Sequence, residues 1–513
     1  MTVQTKPPPP PPPPPPPAFA TTAASPGRDL DRSLVRGLAW TGGGKWLIQI
    51  ISWIATPIVA RLLSPADYGV AGMAMVYVGL VQLVTDFGLG AAIVQRRELD
   101  DDQIAQLGGV SLLLGVAFTG ISIALAPSVA GFFGNPDVEA VLIVLSVMFL
   151  ASGFQTIPRA LLARDLRFRH LAVLDGAEAL SNIVVTLPLA VLGFRYWSLV
   201  FGAIAGRLVS TVLALWWGRH RLGWPSHWET LAGPLQFGAH VIGSTLAWYA
   251  FINADLTIIG RQLGSVALGI YSIAMTLASI PVDRLSALVA RVSPAILAKV
   301  QHDQPALRRY VLALSEGTAL LTFPAAIGLA LVAREFVLVV LGKEWLAAVL
   351  PLQILAISAV LRSVLPMFGQ VLVATGNSRL TMRANVATAA ILIPLFWIGS
   401  RWGAGGVALV WLVVYPAVAA AFTVRYGFAV CGLRLPVYAR TLWPALSATL
   451  AMAAVVLAIS FAVPDDWPLL ALLLAKSFVG ATTYLGIIAW VHGARLRRSL
   501  GLFREPQVRQ AAG

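Results

Sequence analysis

Long apolar runs, broken by short turns that carry most of the charge, recur along nearly the whole chain. Fourteen can be drawn, at about 38–62, 66–94, 104–132, 138–160, 171–193, 196–218, 232–256, 266–291, 309–333, 346–374, 380–400, 404–427, 438–462 and 468–491. Most reach the roughly 20 residues that a helix needs to cross the hydrocarbon of a bilayer. Turn-forming sets mark several edges: Asn135-Pro136-Asp137, Gly376-Asn377-Ser378 and Pro464-Asp465-Asp466. The pattern predicts an all-α polytopic integral membrane protein with about 14 transmembrane helices. Residues 1–37 fall outside it as a disordered, proline-rich tail with eleven consecutive prolines, Pro7 to Pro17. No removable signal peptide is expected there; the prolines are an inert tail or a ligand for a proline-binding domain.

The first two runs meet at Arg61-Leu-Leu-Ser-Pro-Ala-Asp-Tyr-Gly69. A hydroxyl at Ser64, proline next to it and Asp67 in the first turn are helix-start signals, so one run ends near Leu63 and the next begins at once. The same pattern returns at Arg261-Gln-Leu-Gly-Ser-Val-Ala-Leu-Gly269, with Ile58/Ile258, Arg61/Arg261, Leu63/Leu263, Gly69/Gly269, Ala74/Ala274 and Met75/Met275 coinciding without a gap. Taken as a duplication, this predicts two bundles with a transport site between them.

Composition narrows the class. Hydrophobic residues make up 58% of the 513 and charged ones 12%, about half the charged share of soluble domains, so lipid must cover the excess apolar surface. A net charge of +14 would suggest nucleic acid in a soluble protein; here it fits basic loops gathered on one side of a membrane, and no nucleic-acid partner is expected. One cysteine, Cys431, excludes an internal disulfide, and six scattered histidines lack ligand spacing, so neither metal nor cofactor is expected. With the N-terminus cytoplasmic, 26 of the 37 Lys and Arg fall in the cytoplasmic tails and loops and six on the other side: Arg61, Arg195, Arg261, Arg334, Lys343 and Arg401. That alternation predicts both termini in the cytoplasm, the last being a basic tail over 492–513.

Five basic residues lie inside runs: Lys45, Arg207, Arg284, Arg362 and Lys476. A charge at membrane depth costs about 2.5 kcal/mol or more, so each should meet a partner or a wet cavity. Lys45 and Asp86 sit at similar depth and are expected to pair across the first hairpin, as a staple or as part of a transport site. Asp283 and Arg284 occupy different faces of one helix, which makes Arg284 a candidate cavity cation; Arg362 is a further candidate. Arg207 and Lys476 are expected to snorkel toward helix ends. The substrate-cavity candidates are thus Lys45, Arg284, Arg362, Asp86 and Asp283. Arg61, Asp255 and Arg261 are candidates for a gate or lip, with Asp255 and Arg261 as an ion pair or a gate contact. Arg164, Arg167 and Arg169 crowd one cytoplasmic turn, suited to anionic lipid or to the point where a phosphorylated lipid enters.

The Arg61–Gly69 run, followed by Asp86-Phe-Gly-Leu-Gly-Ala-Ala-Ile-Val-Gln95, resembles the first hairpin of bacterial polysaccharide-repeat flippases. Ala163-Arg-Asp-Leu-Arg-Phe168, Asn253-Ala-Asp-Leu-Thr-Ile-Ile-Gly-Arg261, Val292-Ser-Pro-Ala-Ile296 and Leu341-Gly-Lys-Glu-Trp345 extend the likeness over about 40–430. These flippases form the lipopolysaccharide and exopolysaccharide branch of the multidrug/oligosaccharidyl-lipid/polysaccharide exporter superfamily. The resemblance implies two six-helix bundles, here 38–218 and 232–427, around a cavity lined by helices 1, 2, 7 and 8, with two additional helices over 438–491. It implies movement of undecaprenyl-pyrophosphate-linked oligosaccharides across the bacterial inner membrane. It fixes no substrate-contacting residue, so the site candidates rest on charge and position.

Such a substrate needs cations for its pyrophosphate, polar and aromatic groups for its sugars (Gln49, Trp53, Tyr77, Gln82 and Trp248 are candidates) and an exit to lipid for its tail. A proton or Na+ is a candidate coupling ion, and membrane lipids and a polysaccharide polymerase are candidate partners. The alternatives are a multidrug or cation antiporter of the same superfamily and a flippase for peptidoglycan lipid precursors. An enzyme is not expected: the longest outer loop, about 334–345, lacks His or paired acids, and no Gly-Lys-Ser/Thr phosphate loop is present.

Overall fold

The computed structural model describes residues 51, 55–95, 99–226, 249–290, 293–464 and 467–493. Among them the chain forms helices and turns and no strand. Eleven helical stretches are long and apolar enough to cross a membrane. Ser378–Cys431, at 54 residues, is long enough for two crossings; it is divided at Gly403, whose φ of 70° no helix contains. Ala254–Ala290 is likewise broken at Gly264 (φ 82°, ψ −174°). Both breaks fall at turns that the apolar pattern predicts.

Helix starts follow local chemistry. Ser64 and Asp67 form a reciprocal cap: the Asp67 carboxylate accepts from the Ser64 backbone N–H (3.0 Å) and hydroxyl (2.6 Å), and the Ser64 Oγ accepts from the Asp67 N–H (3.3 Å). Arg195 lies 3.2 Å from the same carboxylate. Asp100 and Gln103 make a second such box ahead of Asp101–Phe133, and Asp303 caps Gln304–Leu331 through the Ala306 N–H at 3.0 Å. Prolines at 127, 158, 188, 324, 394 and 444 lie inside helices, a pattern that membrane helices tolerate because neighbours satisfy the freed carbonyls.

Packing divides the molecule by level. At the end carrying Ser64 and Gly264, one continuous core draws on both parts of the sequence: Val70, Met73, Ala74, Phe133 and Leu142 from one, Ile259, Leu268, Ala274, Leu341 and Trp345 from the other. At the opposite end the described residues form separate cores. One holds Ile93, Ile104, Leu107 and Ile157; another holds Leu297, Val311, Phe368 and Cys431. The last two helices, Leu435–Ala462 and Leu469–Val491, pack together through Ala448, Met452, Val456, Tyr484 and Ile488, against Leu320, Ile327 and Leu331.

Two charges expected to snorkel do not. Lys476 is 4% exposed, and its Nζ lies 2.6 Å from the carboxylate of Glu335, also buried. The sequence places Glu335 in a loop, but the structure folds it against the final helix, where it gives the ammonium a partner. Arg207 turns inward, its Nη1 donating to Gln155 Oε1 at 3.0 Å and its Nε 3.6 Å from Glu178. Lys476→Met or Glu335→Leu alone leaves a buried charge unpaired and should lower unfolding free energy by about 3–5 kcal/mol, while the double variant recovers most of it. Chemical unfolding of the purified protein in detergent measures this.

Candidate transport site

The helices beginning at Pro65 and Ser265 meet face to face. A Cβ placed on Gly69 would fall 1.8 Å from the Ser265 carbonyl oxygen, and one on Gly269 would fall 1.8 Å from the Pro65 carbonyl oxygen. Glycine is required at both positions because backbone, not a movable side chain, occupies the space. These are repeat-related residues, so the duplicated hairpins touch through the same atoms in both directions.

Around this joint lie further contacts between the first and second parts of the sequence. Arg61 donates through Nε to the Val340 carbonyl (2.8 Å) and through Nη2 to that of Val339. Arg261 donates through Nη1 to the carbonyls of Gly131 (3.3 Å) and Phe132. The Trp345 indole donates to the Ala60 carbonyl at 2.9 Å, and its ring meets Tyr68 edge-on at 5.4 Å. Deeper, the Tyr249 hydroxyl donates to the Val76 carbonyl at 3.1 Å, in space that Gly79 leaves open.

Beside Tyr249 a pocket of about 500 Å³ opens between the two parts. Leu80, Val129, Phe133 and Ile258 make its walls largely hydrocarbon, and Tyr77, Ser128, Tyr249, Asn253 and Thr257 supply its polar atoms. None of its lining residues is charged. Tyr77, a sugar-contact candidate, also lies 3.1 Å from the Ser122 hydroxyl. Gln82 donates to Ser152 instead of lining this pocket.

Asp255 and Arg261 do not pair. Six residues turn a helix through about 240°, which sends the two side chains to different faces. Asp255 is 1% exposed, inside the molecule and not at its rim. Its Oδ2 accepts from the Tyr271 hydroxyl and the Trp411 indole N–H, both at 2.8 Å, and its Oδ1 accepts from the Leu256 N–H. Arg362 lies over the Trp411 ring at 4.7 Å, with Nη1 3.5 Å from Met275 Sδ. Trp411 belongs to a π-helical turn, Val410–Val414, a widening that often marks functional positions. Neither Tyr271 nor Trp411 carries a sequence signal, since both read as ordinary core aromatics.

Lys45 lies outside the described residues, as do the side chains of Asp86, Asp283 and Arg284. The expected Lys45–Asp86 pair and the expected cationic lining therefore fall outside them too. Of Gln49, Trp53 and Trp248, none is described. On the basic turn, Arg164 lies 3.8 Å from Asp165, and Arg167 donates to the Trp217 carbonyl at 3.1 Å, closing the end of Tyr196–Trp217.

The sequence profile of the family described as "Polysaccharide biosynthesis protein" matches residues 58–350, more than half of the chain. The protein belongs to that family. The match takes in the turn of the first hairpin and its second helix, the repeat at Arg261–Gly269 and the Leu341–Trp345 turn. Among relatives, the lipopolysaccharide biosynthesis protein WzxC of Escherichia coli is 27% identical over 75% of this chain and 79% of its own. The teichuronic acid biosynthesis protein TuaB of Bacillus subtilis is 29% identical over 68% and 73%. The fold is shared with a lipid II flippase, MurJ, in an inward closed conformation: TM-score 0.74 at 14% identity, covering 89% of this chain and 99% of that one. This member of the polysaccharide biosynthesis family is a multi-span membrane protein.

The Asp255 cluster yields a stability order. Asp255→Leu strands two buried donors, at about 1–3 kcal/mol each. Asp255→Asn keeps an oxygen toward both and should cost less than half as much. Unfolding midpoints in detergent check the order, with Trp411→Phe expected to fall between wild type and Asp255→Leu.

Proposed function

We propose that this protein is a flippase, not an enzyme. It carries undecaprenyl-pyrophosphate-linked oligosaccharide repeat units from the cytoplasmic to the periplasmic leaflet of the bacterial inner membrane, for lipopolysaccharide or exopolysaccharide assembly. The observation that carries this is the pairing of family and fold: a polysaccharide biosynthesis family chain shares the fold of a lipid II flippase over 89% of its length. Lipid II is the substrate of that neighbour and not of this chain, but both substrates would pose the same problem. A charged, hydrated head must cross hydrocarbon that excludes it, while a prenyl tail prefers to stay there.

The architecture suits that task by alternating access. We divide the chain into bundles at 38–218 and 232–427, with 438–491 as two added helices and both termini cytoplasmic. The joint at Gly69 and Gly269 then lies on the periplasmic side, shut, while separate cores at the other end support a cavity that opens to the cytoplasm. The apolar pocket beside Tyr249 lies between the parts at membrane depth and has walls suited to a prenyl chain. Lys45 and Arg284, with Asp86, Asp283 and Arg362, remain the proposed groups at the head of the substrate, and Arg164, Arg167 and Arg169 the proposed place where it enters. A proton or Na+ is the proposed coupling ion, and a polysaccharide polymerase the proposed downstream partner.

Deletion followed by complementation tests this. Loss of the protein should abolish the surface polysaccharide and build up lipid-linked repeat units inside the cell. Arg284→Ala or Lys45→Ala should restore at most about a tenth of the polymer, on the scale of one charged hydrogen-bonded contact. Normal glycan with altered sensitivity to cationic drugs would point instead to the antiporter.

A further inference from the structure

A helix leaves its last carbonyls without partners, and they carry the negative end of its dipole. Asp101–Phe133 ends at Gly134 (φ 66°), and the turn Val337–Leu341 ends at Gly342 (φ 105°). In each case an arginine from the other part of the sequence donates to the end carbonyls; that of Gly131 also accepts from the Gly134 N–H at 3.3 Å, so there the arginine is a second donor. Arg261 takes the carbonyls of Gly131 and Phe132, three and two residues before Gly134. Arg61 takes those of Val339 and Val340, three and two residues before Gly342. Arg61 and Arg261 are the same position of the repeated hairpin. The contact is therefore made twice, crosswise, by equivalent residues on equivalent carbonyls.

Three features suit this to a reversible closure and not to a permanent weld. Both arginines are exposed, so water can replace the carbonyls when the parts separate. Both sit at the rim of the Gly69–Gly269 joint, where the helix backbones lie in direct contact. Each guanidinium serves two adjacent oxygens at once, Arg61 as a fork through Nε and Nη2 and Arg261 from Nη1 alone, and the fork sets the angle of approach as well as the distance. Phe132 adds its ring, with the Arg261 guanidinium carbon 5.4 Å from the centroid.

We propose that Arg61 and Arg261 are a pair of crossed latches that hold this end of the transport pathway shut, each binding the helix end of the opposite bundle, and that they release together when the pathway opens there. The latch rests on the transporter reading above, but its test uses no substrate and does not depend on which molecule is carried.

Ala74 is fully buried in the shared core behind the joint, whereas the native Cys431 is buried in a separate core at the other end. In the full-length protein carrying Ala74→Cys, purified in detergent, a maleimide reports on both positions, and mass spectrometry reads them separately. Arg61→Gln and Arg261→Gln should each raise labelling at position 74 by about three- to tenfold, the scale of an exposed charge-assisted contact. The double variant should label faster than either, with Cys431 still protected throughout. Arg61→Lys, which keeps the charge but not the fork, should lie between wild type and Arg61→Gln. Unchanged labelling at position 74, or equal increases at 74 and Cys431, would overturn the latch. A protein that passes this test while its deletion leaves surface glycan intact would retain the latch and lose the proposed substrate.

Discussion

Two glycines facing two carbonyl oxygens set the geometry of the closed end. Gly69 against Ser265 and Gly269 against Pro65 bring helix backbones to a separation that no side chain permits. In a bilayer such contact matters more than in water, because lipid tails are as apolar as leucine and association rests on close packing and hydrogen bonds. Once the backbones touch, the neighbouring side chains of both parts merge into one core, and the helix ends come within reach of Arg61, Arg261 and Trp345. A methyl group at Gly69 or Gly269 would hold that end apart and remove the foundation of every contact around it.

Charge is disposed according to the same economy of partners. Lys476 meets Glu335, Arg207 meets Gln155 and Glu178, Arg159 meets Asp175, and Asp255 collects two side-chain donors and a backbone N–H. Breaking one partner of a buried pair is far more damaging than the pair is stabilising. Such groups fix which helices can be neighbours. The Lys476–Glu335 pair ties the final helix to the segment just before the Leu341–Trp345 turn, so the two appended helices are anchored by charge as well as by the packing of Met452 and Tyr484.

Much of this was legible in the chain. Helix edges at Pro65, Phe133, Tyr196, Gly399 and Val491 lie within two residues of those that apolar runs and turn chemistry predict, because hydrophobic thickness and proline or glycine geometry act locally. The recurrence of Arg61 and Gly69 at Arg261 and Gly269 predicts related hairpins, and the reciprocal contacts of the two glycines fit that reading. Sequence could not tell what those residues touch, since their partners lie elsewhere in the chain: Val339 is 278 residues from Arg61, and Gly131 is 130 from Arg261. Lys476 failed for the same reason. Distance to its own helix end predicts snorkelling, whereas its environment is set by Glu335, 141 residues away. Asp255 and Arg261 looked paired by proximity along the chain, and helical rotation separates them.

The duplication does not extend to the interior. Three residues after Gly342 comes Trp345, whose indole reaches the Ala60 carbonyl; three residues after Gly134 comes Asp137, which cannot donate in that way. The repeat position of Asp255 is Ala55, and that of Tyr271 is Ala71, so the buried carboxylate and its phenol exist on one side only. A symmetric rim around an asymmetric interior has a mechanical consequence. Equivalent latches let the two parts separate about a common axis without favouring either. The carboxylate, indole and guanidinium cluster stiffens one part, while the matching positions of the other, Ala55 and Ala71, carry only methyl groups. Motion at the rim is thereby shared, while any chemistry that depends on Asp255 belongs to the second part alone.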